Sequence, residues 1–378
     1  YGVSYNAISS TSYYLVIKNG KIGISPNLNV SEIEKIDKRW TKDTFKKYVS
    51  LLNDFYKKSK FNRFFLQHKD YYNQAEERFN VVLKDINTNW FKSFFGKELG
   101  EPLIVTSLCN GPSNYALVDE NGLAGIVVGV GSDPQGFPYY HKRMISIILH
   151  ELIHGFSNSI VDDNWNEIES SANIIFPHVK EAMAKIAYGD AQTVMGEWLT
   201  NLCAAIYFHE NPVDWATAES LATMDERRGF IWMNRSVIFM SHFFKNRNQF
   251  KTIYDYTPAI IDFIKYTANN FDQVLNEYNN KTPYIVDVFP APGSTIAFNV
   301  DTIEMRFSEP MIRANGTKNI DDENIMVLPM TGQMFWKDDY TFVIPIGGLE
   351  KGKTYGIELG SPYFKSIKQY PLKENYKY

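Results

Sequence analysis

Cysteine is nearly missing from this sequence: Cys109 and Cys203 are the only two in 378 residues. So few exclude a disulfide-stapled scaffold and a cysteine-rich zinc module, and a chain of this length buries a sizeable core without staples. Both cysteines read as small buried hydrophobes, with pairing between them left open. Histidine is also scarce, at seven residues, so a metal site has to combine a few imidazoles with carboxylates. There is no basic excess, since 39 Lys and Arg stand against 43 Asp and Glu for a formal net charge of −4. Nucleic acid is therefore not an expected partner, because neutralising phosphate needs clustered cations. No uninterrupted apolar run reaches the ~18 residues that span a bilayer, so no transmembrane segment is expected.

What is present divides the chain. The first thirty residues alternate in the manner of short strands and carry an Asn19-Gly20 hairpin signal. A helical run follows, with a Ser31/Glu34 capping box and apolar residues at helical spacing over about 41–60 and 62–87. That run reads as scaffold with a solvated, charged face. Strand formers fill 102–131. A second helical block runs from about 139 to 278, interrupted by Pro212 and Pro258, and 279–284 is a polar, proline-containing linker. Short β-rich segments punctuated by Gly, Pro and Asp then occupy the remaining chain, the signature of an all-β sandwich. The expected architecture is a mostly helical α+β domain with a small sheet over 1–281, followed by a β-sandwich over 282–378.

One segment carries chemistry. His150-Glu151-Leu152-Ile153-His154 is an H-E-x-x-H motif within an apolar stretch free of proline. On a helix the two histidines share a face one turn apart, about 6 Å between Cβ atoms, and can ligate one Zn²⁺ while Glu151 reaches a water molecule. A hydrolytic zinc site needs a third protein ligand and an open position. A third histidine six residues beyond His154 is excluded, because Ile160 stands there. Downstream candidates are His178, Glu181, Asp190, His209 and Glu197. Glu197 is best placed: it lies in a second strongly apolar helix, where an unpaired carboxylate is costly. Asn201, one turn later, can orient a ligand histidine through its other ring nitrogen. His68, His141 and His242 read as structural or exposed.

With these residues the chain resembles the gluzincin metallopeptidases, the thermolysin-like zincins, whose pattern is H-E-x-x-H on one helix and E-x-x-x-D on the next. The resemblance covers about sixty residues and departs from the pattern at Asn201, where the aspartate would stand. It implies a zincin-like domain, zinc held by His150, His154 and Glu197, and Glu151 as the base in hydrolysis of a peptide or protein substrate. Tyr207, His209 and Arg228 are candidate oxyanion donors, none singled out by spacing. Zincins also pair substrate with an edge strand before the active helix, a role open to Gly125, Val127 and Gly129. Beyond Pro283 the chain resembles bacterial Ig-like domains, through Pro290, Pro292 and Gly293 and then Phe307 to Met311.

Such a layout is similar to that of uncharacterised exported proteins of Bacteroidetes and implies a periplasmic, cell-surface or secreted location. The chain begins at Tyr1, so an upstream segment is expected, whether an export signal, a lipid anchor or a trimmed start. Two other functions fit the same residues: an exported binding or adhesion protein on a degenerate zincin scaffold, and a zinc hydrolase of a non-peptide amide.

Overall fold

The structure, a computed structural model, describes residues 8, 11–108, 114–119, 122–297, 299–361 and 363–378. It is about 46% helical with small sheets, helical toward the N-terminus and strand-rich toward the C-terminus. The chain forms two compact units, Tyr1–Thr223 with Met233–Ala268 and Met224–Trp232 with Asn269–Tyr378. The boundary read from sequence at 281/282 thus falls inside the second unit.

The first unit opens with the hairpin β1 (Leu15–Lys18) and β2 (Lys21–Ile24). Asn19 and Gly20 both have positive φ, 51° and 70°, as a two-residue turn of the primed type requires. A single turn, α1 (Ile33–Ile36), leads to α2 (Lys42–Lys58), α3 (Phe61–Gln67), α4 (Lys69–Leu83) and α5 (Asn89–Phe95). No Ser31/Glu34 capping box forms; Asn29 accepts from the Ser31 N–H, and the capping box is built by Thr41 and Thr44 at the start of α2. In α5 the buried Trp90, Phe91, Phe94 and Phe95 form one broad aromatic face. Phe95 stacks on Phe156 with ring centroids 4.9 Å apart.

The sheet of this unit has the order β3–β5–β4, with β3 (Leu103–Ser107) parallel and β4 (Tyr115–Asp119) antiparallel to β5 (Gly122–Gly129). A short hairpin, β6 (Gly131–Ser132) and β7 (Pro138–Tyr139), precedes α6 (Met144–Asp162). Then come α7 (Trp165–Ala184), α8 (Ala191–Glu210), α9 (Ala218–Arg228), whose residues from Met224 on count with the second unit, α10 (Met233–Lys245) and α11 (Thr257–Asn269). Helix α8 is buried continuously from Trp198 to Phe208, as expected of a helix apolar all round. Trp198 fixes it to α10 and α11, donating to Ser236 Oγ at 2.9 Å and stacking on Phe263.

Helix α6 is, by length and composition, apolar enough to cross a bilayer, and half of it is buried inside the protein. A core helix meets the same criterion, and α6 packs on α8 and β5.

In the second unit, α12 (Phe271–Asn279) precedes β8 (Ile285–Phe289) and β9 (Thr302–Phe307), then β10 (Thr317–Lys318), β11 (Met326–Val327), β12 (Phe335–Trp336), β13 (Thr341–Pro345), β14 (Tyr355–Gly356), β15 (Glu358–Leu359) and β16 (Tyr376–Lys377). They form a four-stranded sheet β12–β13–β9–β8, a three-stranded sheet β10–β15–β16 and a parallel pair β11–β14. Ile303, Met305 and Phe307, alternating along β9, join Phe342, Ile344 and Phe364 in one core. Glu226 is buried in the same unit but accepts from Lys281 Nζ at 2.8 Å and Tyr370 Oη at 2.6 Å, which offsets the cost of burying its charge.

Candidate metal centre

Helix α6 buries Ile145, Ile148, Leu149, Leu152, Ile153 and Phe156. That leaves His150, Glu151 and His154 partly buried on its other side. The four-residue interval stacks the two imidazoles along one face. Helix α8 supplies Glu197. The helices are held together there by a buried hydrogen bond of 2.7 Å between Ser157 Oγ and Thr200 Oγ1.

The three side chains converge. One donor atom from each of His150, His154 and Glu197 lies within 4.8 Å of the others. Nε2 of His150 and Nε2 of His154 are 3.0 Å apart. Glu197 Oε2 is 3.3 Å from His150 Nε2, and its Oε1 is 3.6 Å from His154 Nε2. Donors placed ~2.0–2.1 Å from a shared tetrahedral centre are separated by about 3.3–3.4 Å, and the observed spacings bracket that value. Between 15% and 18% of each side chain is exposed, so the cluster opens to one side. Glu197 Oε2 is buried and receives no well-directed hydrogen bond. Two imidazoles, a carboxylate and an under-satisfied buried oxygen fit a divalent cation of the zinc type.

The surroundings hold these groups in place. Asn158 Oδ1 lies 3.0 Å and Thr200 Oγ1 3.2 Å from His154 Nδ1. An N–H at Nδ1 directed at the asparagine oxygen leaves the Nε2 lone pair facing the cluster. Asn201 is close enough to His150 to help raise its pKa, while its own Nδ2 is buried without a partner. Tyr188, in the turn before α8, hydrogen-bonds to Glu197.

Burial works against a charged His150, but the hydrogen bond and charge of Glu197, the charge of Glu151 and the Asn201 hydrogen bond together raise its pKa. Burial and the neighbouring His150 lower that of His154. Burial alone would raise Glu197, yet the His150 hydrogen bond and the two histidine charges keep its carboxyl below the usual range. The two shifts run in opposite directions, as expected of an imidazole and a carboxylate that favour each other's charged form.

A cleft of about 390 Å³ opens at the cluster, lined by His154 and Glu197 together with Asn158, Asp162, Asp190 and Gln192. Asp190 caps α8, accepting from the Thr193 N–H at 2.8 Å.

Several expected participants stand elsewhere. The Tyr207 hydroxyl accepts from the Asn87 N–H at 2.6 Å and its ring packs on Trp90, so this phenol is committed to the core. His209 packs on Phe244, ring centroids 5.0 Å apart. Arg228 belongs to the second unit and pairs with Asp225 at 3.3 Å. His178 and Glu181 are absent from the three-residue cluster. Gly125, Val127 and Gly129 do not form an edge: β5 is the central strand, paired with β3 on one side and β4 on the other. Gly125 has a packing reason instead, because a Cβ there would lie 2.1 Å from the Leu103 carbonyl oxygen. Cys203 is a buried free thiol, and Cys109 lies outside the described residues.

Tyr188, Asn158 and Thr200 are the neighbours that sequence reading missed. Only the i+4 step from His154 to Asn158 leaves a signal in sequence.

A family model described as a domain of unknown function (DUF4932) matches residues 21–263. No curated protein matches the chain. Among solved structures, the S-layer protein rSbsC(31-844) aligns at 10% identity with a TM-score of 0.18, over 61% of this chain and 33% of that one. The chain thus spans about a third of that protein's length, and so low a score carries no argument.

Proposed function

This chain belongs to the DUF4932 family, and we propose that it is a zinc-dependent metallopeptidase. The reading rests on one observation: the converging donor atoms of His150, His154 and Glu197 beside Glu151. On this reading the first unit is a zincin-like domain, the C-terminal strands are an Ig-like sandwich, and the protein acts outside the cytoplasm.

His150, His154 and Glu197 would hold the metal. A zinc ion there supplies a Lewis acid that polarises a scissile carbonyl and makes water acidic near neutral pH. Glu151 takes a proton from the attacking water and returns it to the leaving nitrogen. Asn201 and Asn158 hold the two imidazoles in orientation. Thr200 and Ser157 lock α8 to α6, which keeps Glu197 beside the histidines. Tyr188 orients the Glu197 carboxylate.

The test is metal content and proteolysis of the purified protein. Wild type is expected to hold one zinc per chain and to cleave an unfolded protein mixture; Glu151→Gln should keep the zinc and lose cleavage by at least about a hundredfold. Wild type without zinc, or cleavage unaffected by the substitution, overturns the reading.

A further inference from the structure

A second cavity of the first unit is larger than the cleft at the metal centre. It measures about 1050 Å³ and lies where β2, α2 and α3 meet. Five cations line it: Lys21, Lys46, Lys57, Lys60 and Arg63. Among the described residues none of the five pairs with a carboxylate. The one acid in the lining, Asp54, pairs with Lys58 at 3.0 Å.

The lining forms one continuous groove. On α2, Lys46, Ser50, Asn53 and Lys57 follow at intervals of three or four residues, which stacks them along a single stripe. The exposed Leu51 and Phe55 stand on the opposite face of the helix and take no part. Ile22, Ile24 and Val49 give the groove an apolar floor, since they belong to or pack on the core around Trp40 and Phe45. Lys60, in a left-handed conformation with φ 53°, turns the chain from α2 into α3, so that Arg63 joins the lining from the next helix.

The length of the groove and its main-chain edge narrow the ligand. Lys46 and Lys57 lie about 16 Å apart along the axis of α2, at ~1.5 Å per residue. That is beyond the reach of one phosphate, but about five residues of extended peptide cover it at ~3.3 Å each. The Ser25 N–H donates to the Tyr14 C=O at 2.7 Å, and the alternation of an antiparallel ladder then turns the main-chain groups of Ile22 and Ile24 away from β1. Asn53 satisfies those of Ile22, accepting from its N–H at 2.8 Å and donating to its C=O at 2.7 Å. Those of Ile24, also in the lining, have no partner among the described residues. A free amide edge suits a ligand that carries amides itself.

The charge is concentrated as well. Residues 42–67 carry seven Lys and Arg against two Asp, a net of +5 in a chain whose total is −4. A polyanion is therefore drawn to this part of the chain and repelled by the remainder.

We propose that the groove binds an acidic stretch of a polypeptide in extended form. Its carboxylates meet Lys21, Lys46, Lys57, Lys60 and Arg63. The side chains between them lie on Ile22, Ile24 and Val49, and its main chain reaches the free groups of Ile24.

Fluorescence anisotropy with the full chain tests this, using a labelled peptide of about ten residues in which Glu alternates with Ala. Phenanthroline, a neutral chelator, keeps the metal centre out of the readout. Saturable binding that weakens as salt is raised is expected, and the same peptide with Gln for Glu should not bind. The triple variant Lys57→Glu, Lys60→Glu, Arg63→Glu should bind about 30–100-fold more weakly, at roughly threefold to fivefold per cation lost. The same charge change at Lys180, Lys185 and Lys251 should leave most of the binding. Ser50→Trp blocks the groove between Lys46 and Lys57 without changing charge, and should weaken binding while far-UV circular dichroism stays unchanged. No binding, equal binding of the Gln peptide, equal loss in both triple variants, or full affinity in Ser50→Trp overturns the proposal. So does displacement of the peptide by inorganic phosphate at constant ionic strength, which would mark a free-anion site. Tighter binding of polygalacturonate than of the peptide would assign the groove to an acidic glycan and also overturn it.

Discussion

Asn158 holds His154 from one turn further along the same helix, its Oδ1 3.0 Å from the imidazole Nδ1. The contact fixes the tautomer in which Nε2 faces Glu197. Partners of this kind typically contribute 10–100-fold to metal affinity. Asn158→Ala is therefore expected to weaken zinc binding by about 10–100-fold with the fold intact, measured by competition with a chromogenic chelator. Unchanged affinity would mean that Thr200 alone, 3.2 Å from the same nitrogen, orients the ring.

Metal and proton compete at His150. Burial acts against the charge, but Glu197 and Glu151 raise the pKa above the ordinary value of 6.5. In the metal-free protein at pH 6.5 this histidine is therefore more than half protonated. Zinc needs the neutral imidazole, so binding at that pH should release a proton, and affinity should fall as pH drops further. Calorimetric titration in buffers of different ionisation enthalpy measures the release; a slope of zero contradicts the assignment of His150 as a ligand.

Glu197→Gln preserves volume and removes the anionic donor. Loss of a ligand costs more than loss of an orienting partner, so zinc affinity should fall by more than about a hundredfold. Metal content after dialysis checks it. If zinc is retained at wild-type level, the third ligand is another residue.

Gly125→Ala separates packing from substrate binding. An added Cβ would meet the Leu103 carbonyl oxygen at 2.1 Å, inside the β3–β5 pairing. The variant should lose stability by about 1–3 kcal/mol in denaturant unfolding. Normal stability with reduced turnover would instead restore Gly125 to the substrate site.

The candidate cluster of His150, His154 and Glu197 was legible because its information is local. An i, i+4 histidine pair with an intervening glutamate can be read from five consecutive residues, and Glu197 stands out as an acid in an apolar helix. Its neighbours were not legible. Tyr188 reaches Glu197 from an interhelical turn, and Thr200 is one polar position in a buried helix; both contacts are set by how α6 and α8 pack. The strand-rich character of the chain after Pro283 was likewise visible in its turns. Strand order was not: alternation shows that 122–129 is a strand but not which strands lie on either side, and the answer, β5 in the centre, removed the proposed edge. Helical periodicity in 42–67 also suggested a scaffold whose apolar residues face inward, whereas Leu51, Phe55, Phe64 and Leu66 face out.

Anomalous scattering at the zinc edge, on crystals of the purified protein, tests the central claim most directly. A single strong peak is predicted ~2.0–2.2 Å from His150 Nε2, His154 Nε2 and a Glu197 carboxylate oxygen, with a coordination position left open beside Glu151. No peak, a peak away from these residues, or a fourth protein ligand closing the site would contradict it.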